Sequence, residues 1–168
     1  MKICLIGFQG SGKTTLGRWV SSCLGVQFFD LDEVLLARYG FSSIKEAYTT
    51  FGEKRFRKEE SVCISPIAGL PSYVVALGGG SLEALQQIPD DVHVVYLFRP
   101  LEQLESENVS PYPLWVNAKE PQSSLRQRWE ERHPVYVQRA TSVVLVEKQS
   151  VDDDGHRVLQ CIRGLHGK

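Results

Sequence analysis

The sequence lacks clustered cysteines, an excess of one charge and long apolar runs. Its four cysteines are far apart and form no C-x-x-C pair, so neither a zinc site nor a disulfide framework is expected. Lysine plus arginine number 19 and aspartate plus glutamate number 20, giving a formal net charge of −1. That balance provides no basic field for a nucleic acid or an anionic membrane.

The sequence also contains no run of roughly 18 apolar residues and no N-terminal apolar segment of signal-peptide length. We therefore expect a cytoplasmic protein with reduced thiols and no membrane partner. Cys4 lies in an apolar run and Cys23 continues the apolar spacing of the following helix. Both thiols are predicted to be buried.

The chain contains enough apolar sequence for one compact core. Its 168 residues are 42% hydrophobic and 23% charged, which is typical of a soluble globular domain. We find neither an internal repeat nor a linker. A single domain spanning residues 1–168 is expected, and we expect it to act as a monomer.

Short apolar runs alternate with stretches of helical periodicity. Strands are predicted at 2–6, 26–29, 73–77, 92–98 and 142–146. Helices are predicted at 13–24, 31–39, 43–51, 53–66, 81–87, 122–131 and 151–164. This alternation favours an α/β fold with a mostly parallel five-stranded sheet flanked by helices.

One segment interrupts the alternation. Residues 106–122 contain Pro111, Pro113 and Pro121 and show no sustained period of a helix or a strand. Loops of this length in a compact domain are usually lids or binding loops, or else are simply disordered. We therefore expect a lid at this position.

Residues 7–14 read Gly-Phe-Gln-Gly-Ser-Gly-Lys-Thr and match the motif G-x-x-x-x-G-K-[ST]. Its glycines let consecutive backbone N–H groups line one concavity, and the following helix adds its positive end. Lys13 is expected to reach the β and γ phosphates of a nucleotide, and the Thr14 hydroxyl to bind Mg²⁺. The predicted nucleotide contacts are Gly10, Ser11, Gly12, Lys13, Thr14 and Thr15.

Two carboxylates follow the second predicted strand. Asp30 and Asp32 should emerge at the carboxyl end of the sheet, beside the phosphate loop. One would face the Mg²⁺ shell and the other an acceptor hydroxyl, a division that phosphoryl transfer needs. The alternative is that both acids only cap the next helix.

Five motifs in this order resemble the shikimate kinase family over essentially the whole chain. They are the phosphate loop, Asp30-x-Asp32, Gly52-Glu-x-x-Phe-Arg57 with Glu60, Gly78-Gly79-Gly80 and Arg132-x-Pro-x-Tyr136. The resemblance implies a P-loop kinase fold like that of nucleoside monophosphate kinases. It also implies transfer of the ATP γ-phosphoryl group to a ring hydroxyl of shikimate, giving shikimate 3-phosphate, with Mg²⁺ as cofactor.

The resemblance assigns the acceptor pocket to the predicted helices within 31–66 and to two later motifs. Arg57 and Arg132 would clamp the shikimate carboxylate, since guanidinium groups offer two parallel donors. Glu60 would orient Arg57, and Asp32 would bind the acceptor hydroxyls and take the proton. Asp30 would reach Mg²⁺ through water, and Gly78–Gly80 would bring backbone N–H groups close to both substrates.

Each acceptor assignment has an alternative that needs no ligand. Arg57 lies in a charged run that could be a solvated helix face. The three glycines could form an ordinary turn. Arg132 could merely mark a helix end, where cations are favourable.

The predicted lid departs from the family. Members usually carry an arginine there before Pro-Leu-Leu, whereas residues 108–115 contain no basic residue. Lys119 is the only basic group in this loop, and we predict that it substitutes for the arginine. The alternatives are that Lys119 is an exposed surface lysine, that Arg126 or Arg132 covers the phosphates, or that the enzyme is slow.

Two other functions remain open at the level of sequence. Another small-molecule P-loop kinase, similar to gluconate kinase, would share the phosphate loop and Asp-x-Asp but not the acceptor motifs. A non-catalytic family member that binds nucleotide or shikimate would be consistent with the atypical lid.

Overall fold

The computed structural model describes residues 1–81, 86, 88–107, 121–147 and 149–164. Five strands are formed by Lys2–Ile6 (β1), Phe28–Asp30 (β2), Tyr73–Ala76 (β3), His93–Phe98 (β4) and Ser142–Leu145 (β5). Seven helices in these ranges are Lys13–Leu24 (α1), Leu31–Tyr39 (α2), Ile44–Phe51 (α3), Glu53–Ala68 (α4), Leu101–Ser106 (α5), Pro121–Arg139 (α6) and Val151–Gly164 (α7).

The five strands form one sheet in the order β2-β3-β1-β4-β5, and every neighbouring pair is parallel. The predicted α/β fold with a five-stranded sheet is therefore confirmed. The strand β1 lies in the centre, with β3 on one side and β4 on the other. Ligands of such sheets bind at the carboxyl ends of the strands, near the point where the connections change direction.

Alternation along β1 divides the core into two layers. Cys4 and Ile6 face one cluster of buried residues, together with side chains from α2, α3, α4 and α6. Ile3 and Leu5 face the other cluster, which α1 and α7 cover. A parallel sheet buried on both faces needs apolar side chains in both directions, which explains the continuous apolar run of this strand.

The two cysteine predictions have different outcomes. Cys4 is buried, as predicted, whereas Cys23 is exposed. The prediction for Cys23 is wrong because the buried stripe of α1 is centred on Gly17, Val20 and Ser21, and Cys23, in the last turn of the helix, lies at its edge. Separately, no helix within the described ranges has the length and apolar character needed to cross a bilayer.

Prolines are the main source of error in the helix boundaries. The predicted helix 122–131 in fact runs from Pro121 to Arg139 with Pro134 inside it, and α4 likewise passes through Pro66 to end at Ala68. Packing outweighs the single backbone hydrogen bond that an internal proline removes, since Tyr136 beyond Pro134 is only 2% exposed. The short helix α5 was not predicted, and the predicted helix 81–87 falls mostly outside the described residues.

Candidate active site

The phosphate loop joins β1 to α1 as the motif predicts. Gly12 precedes α1 with φ 85°, a left-handed conformation that side-chain-bearing residues rarely adopt. The Ser11 N–H donates to the Phe8 carbonyl at 3.2 Å and closes a turn within the loop. The N-terminus of α1 therefore follows a tight concave turn, which is the geometry that binds phosphate.

Lys13 lies across this turn. Its Nζ donates to the carbonyl oxygens of Gly7 at 3.0 Å and Phe8 at 2.9 Å. Burial lowers the pKa of Lys13 to about 8, although the carboxylates of Asp32 and Asp30 act in the opposite direction. The ammonium group is thus held in the loop, close to both acids.

Asp30 contacts both the phosphate loop and α2. Its Oδ2 accepts a hydrogen bond from the Thr14 hydroxyl at 2.6 Å. Its Oδ1 caps α2 by accepting from the Asp32 N–H at 3.1 Å. The capping alternative therefore holds for one oxygen of Asp30, while the other lies beside the Thr14 hydroxyl predicted to bind the metal.

Asp32 begins the acceptor side of the site. Burial, together with the neighbouring carboxylates of Asp30 and Glu60, raises the pKa of Asp32 to about 6, although Lys13 and Arg57 act in the opposite direction. A Cβ placed on Gly78 would lie 2.8 Å from Asp32 Oδ1, so this carboxylate lies against the glycine turn. A carboxyl group with this pKa is suited to accept a proton near neutral pH.

The raised pKa of Asp32 leads to a pH prediction. Below pH 6 the carboxyl is protonated and cannot accept a proton, so activity that depends on it should fall as the pH decreases through about 6. The ¹³C resonance of the Asp32 carboxyl, assigned by its loss in Asp32→Asn, should titrate near 6 in the free protein. Titration near 4, the ordinary range for aspartate, would contradict this environment.

Arg57 forms an ion pair with a buried carboxylate. Its Nη1 donates to Glu60 Oε2 at 2.8 Å, and the two side chains are only 16% and 2% exposed. The other carboxylate oxygen of Glu60 accepts a hydrogen bond from the Ser81 hydroxyl. The solvated-face alternative for Arg57 is therefore wrong, and Ser81, which belongs to none of the sequence motifs, holds Glu60 in place.

Arg132 lies inside α6 and reaches the glycine turn, so the helix-end alternative is wrong for this residue. Its Nη1 donates to the Gly79 carbonyl at 2.8 Å, and the buried Tyr136 hydroxyl donates to the same oxygen. A Cβ on Gly80 would lie 2.5 Å from Arg57 Nη2 and 3.1 Å from Arg132 Nη2. Both guanidinium groups therefore converge on Gly80.

The glycine turn also contacts the phosphate loop. A Cβ on Gly79 would lie 3.3 Å from the backbone nitrogen of Gln9 and 3.7 Å from the Gly7 carbonyl. The turn therefore lies between the loop and the two arginines. An ordinary turn would not need these contacts on both sides. Lys13, Asp32, Arg57 and Arg132 surround one site at the carboxyl end of the sheet.

The candidate lid cations have separate outcomes. Lys119 lies outside the described residues, and its role stays a prediction. Arg126 donates to both carboxylate oxygens of Glu105, at 2.9 and 3.0 Å, and its side chain is 54% exposed. One helix ends at Ser106 and the next begins at Pro121, so the predicted loop 106–122 falls between them, and its residues 108–120 lie outside those that the structure describes.

The sequence is similar to those of known kinases. A family model described as shikimate kinase matches residues 9–163. A shikimate kinase from Nitrosococcus oceani is 32% identical over 170 residues, covering 98% of this chain and 88% of that protein. The range matched by the family model therefore spans most of the phosphate loop and all of the acceptor residues.

Comparisons of structure separate two of the kinase families considered. A shikimate kinase from Acinetobacter baumannii in complex with shikimate superposes with a TM-score of 0.87 at 29% identity, covering 99% of this chain and 95% of that one. A gluconokinase from Sinorhizobium meliloti gives a TM-score of 0.59 at 14% identity, covering 98% and 92%. The second likeness concerns the fold alone.

Proposed function

This chain belongs to the shikimate kinase family, and we propose that it transfers the γ-phosphoryl group of ATP to a ring hydroxyl of shikimate, giving shikimate 3-phosphate. The observation that carries the proposal is the convergence on Gly80 of two guanidinium groups, of the partly buried Arg57 and the buried Arg132, beside a phosphate loop. The phosphate loop suits a nucleoside triphosphate, and the two arginines suit a small carboxylate.

At the phosphate end, the backbone N–H groups from Gly10 to Thr15 would cradle the phosphates. Lys13 would leave the carbonyl oxygens that it now contacts and bind the β and γ phosphates. The transition state of phosphoryl transfer spreads negative charge over the transferring oxygens, so a fixed ammonium lowers the barrier.

The oxygens of Thr14 and Asp30 fit a magnesium ion that keeps most of its waters. Mg²⁺ is usually held by one or two protein oxygens together with substrate phosphates, and these two oxygens are 2.6 Å apart. We propose that Thr14 binds the ion directly and Asp30 through water. When bound, Mg²⁺ neutralises charge on the phosphates.

At the acceptor end, Arg57 and Arg132 would hold the shikimate carboxylate. Glu60 orients Arg57, and Ser81 in turn holds Glu60. The turn Gly78–Gly80 has no side chains that would compete with the ring for the place between these arginines and Asp32. Asp32 would accept the proton of the attacking hydroxyl as the phosphoryl group is transferred.

A coupled assay of ADP release tests the proposed function. With ATP and Mg²⁺ present, addition of shikimate should start turnover, whereas gluconate should give only the background rate. Turnover with gluconate alone would indicate the other kinase class. Shikimate binding without ADP release would indicate a non-catalytic family member.

We predict that Arg57→Lys and Arg132→Lys each weaken shikimate binding about 30-fold and change ATP affinity little. Lysine keeps the charge but loses the two parallel donors, and loss of a buried charge-assisted contact costs roughly 2 kcal/mol or more. Calorimetry with each ligand measures the difference. Arg55→Lys is the matched control, because Arg55 lies on the same helix with its side chain 61% exposed.

We predict that Gly80→Ala raises the KM for shikimate at least tenfold with little effect on the KM for ATP. The new methyl group would lie 2.5 Å from Arg57 Nη2, so the guanidinium must move. Gly69→Ala is the control, because Gly69 has a helical φ of −76° and its Cβ would meet only the Pro66 carbonyl at 3.5 Å. Equal KM values in both variants would contradict the proposed pocket.

We further infer that the protein works as a monomer in the reducing cytoplasm. All four cysteines are free, and Cys4 and Cys63 are buried. Burial raises the pKa of the Cys63 thiol, which makes it a poor nucleophile for disulfide formation. Light scattering of the purified protein measures the oligomeric state.

A further inference from the structure

A buried arginine at the carboxyl end of β4 has none of the proposed roles in binding ATP, Mg²⁺ or shikimate. The side chain of Arg99 is only 3% exposed. Its Nη1 donates to the Gly10 carbonyl of the phosphate loop at 3.3 Å. Its Nη1 and Nη2 also donate to the two carboxylate oxygens of Glu107, at 2.9 and 2.6 Å.

Fold stability does not account for this arrangement. A guanidinium group stays charged at all relevant pH values, so its burial is costly even when it is paired. Packed apolar residues in place of a buried ion pair often leave a protein equally stable or more stable. Glu107 is 37% exposed, and Nε of Arg99 has no hydrogen-bond partner among the described residues. The contacts of Arg99 therefore offset only part of the free-energy cost of burying its guanidinium group.

The contact with Gly10 has a specific effect on the loop. A phosphate-binding turn works when its N–H groups point inward, which requires fixed orientations of its peptide planes. Lys13 holds the carbonyls of Gly7 and Phe8, whereas Arg99 holds the carbonyl of Gly10, the next part of the loop. When Lys13 turns toward phosphates, the contact from Arg99 can remain.

The backbone of Arg99 is also tied to the acceptor side of the site. The indole N–H of Trp129 donates to the Arg99 carbonyl at 3.4 Å. Trp129 lies on α6, the helix that carries Arg132. Arg99 is therefore held between the phosphate loop, the end of α5 and α6.

We propose that Arg99 is a positioning residue for nucleotide binding: through the Gly10 carbonyl it holds the phosphate loop in the conformation that accepts the β and γ phosphates, and Glu107 fixes Arg99. The inference rests on the proposed function in one respect, namely that loop 7–14 binds ATP. It assigns no contact between Arg99 and the transferring group.

The test is calorimetry of MgADP and of shikimate with Arg99→Met, combined with thermal unfolding. Methionine keeps the apolar stem and removes the buried charge, and Glu107 can reach water. MgADP should bind about tenfold or more weakly, as expected for a lost hydrogen bond from a charged group, with shikimate affinity and the unfolding temperature nearly unchanged. A lower unfolding temperature with wild-type MgADP affinity would overturn the proposal.

A second substitution of Arg99 and a control variant complete the test. Arg99→Lys retains the charge beside Glu107 but cannot also hold Gly10, so it should fold and still bind MgADP several-fold more weakly. Wild-type MgADP affinity in Arg99→Lys would overturn the proposal even if Arg99→Met failed to fold. Lys2→Met is the control, because Lys2 pairs with Asp91 at 2.8 Å at the opposite end of β1.

Failure of the Arg99 proposal can be distinguished from failure of the proposed function. If wild-type protein turned over shikimate and the Arg99 variants bound MgADP normally, only the role of Arg99 would be rejected. If wild-type protein bound MgADP but did not phosphorylate shikimate, the proposed function would fail. The Arg99 variants would still test the positioning of the loop.

Discussion

Replacement of Lys13 by alanine is expected to reduce turnover by roughly 10³-fold or more while the protein stays folded. Preorganised donors facing the transferring group typically contribute 10²- to 10³-fold each, and a full positive charge at the γ-phosphate should contribute at least as much. In the structure the Lys13 ammonium donates hydrogen bonds to two loop carbonyls. Their loss should have little effect on stability.

Steady-state kinetics and far-UV circular dichroism measure these two expectations together. Lys45→Ala is the matched control, because Lys45 is an exposed lysine on α3 that should leave turnover unchanged. A folded Lys13→Ala protein with full activity would exclude phosphoryl transfer at this loop.

Replacement of Asp32 by asparagine is expected to lower kcat about 10²-fold or more and to leave the KM for shikimate within a few-fold of wild type. Asparagine is nearly isosteric and keeps a hydrogen bond to the acceptor hydroxyl, but it cannot take the proton. Loss of a general base typically costs 10²- to 10⁴-fold. The raised pKa of Asp32, about 6, supports this role.

Asp30→Asn is the comparison that separates the two acids. Asp30 contacts the Thr14 hydroxyl, so its replacement should raise the Mg²⁺ concentration needed for half-maximal rate and largely preserve kcat at saturating Mg²⁺. Titration of each variant with Mg²⁺ measures this difference. Equal effects of both substitutions on kcat and on Mg²⁺ dependence would contradict the division of roles.

The phosphate loop could be predicted because its information is local. The residues of the motif are consecutive, and the apolar run before them and the helical periodicity after them specify a strand and a helix. The same holds for the parallel sheet, since alternation of strands and helices leaves few other topologies. Element boundaries were less accurate where packing carried helices through Pro66 and Pro134.

The acceptor pocket could not be derived from local sequence. The run that contains Arg57 has the composition of a solvated helix face, and only the resemblance to a family favoured a binding role. Burial of Arg57 depends on Glu60 and on Ser81, which is distant in sequence. Long-range packing of this kind leaves no periodic signal.

The burial of Arg99 could not be predicted from local sequence either. A charged residue directly after an apolar strand is ordinarily read as the start of a loop. Its burial depends on the position of Gly10, 89 residues away in the sequence, and on the carboxylate of Glu107. No spacing rule connects these three residues.

The central claim is that one site transfers phosphate from ATP to shikimate, and ³¹P NMR of the reaction mixture tests it most directly. With ATP, Mg²⁺, shikimate and wild-type protein, a phosphomonoester signal should grow in step with ADP and should be absent with Lys13→Ala. Mass spectrometry should show shikimate gaining one phosphoryl group. ADP formed together with inorganic phosphate alone, or no ADP at all, would contradict the account.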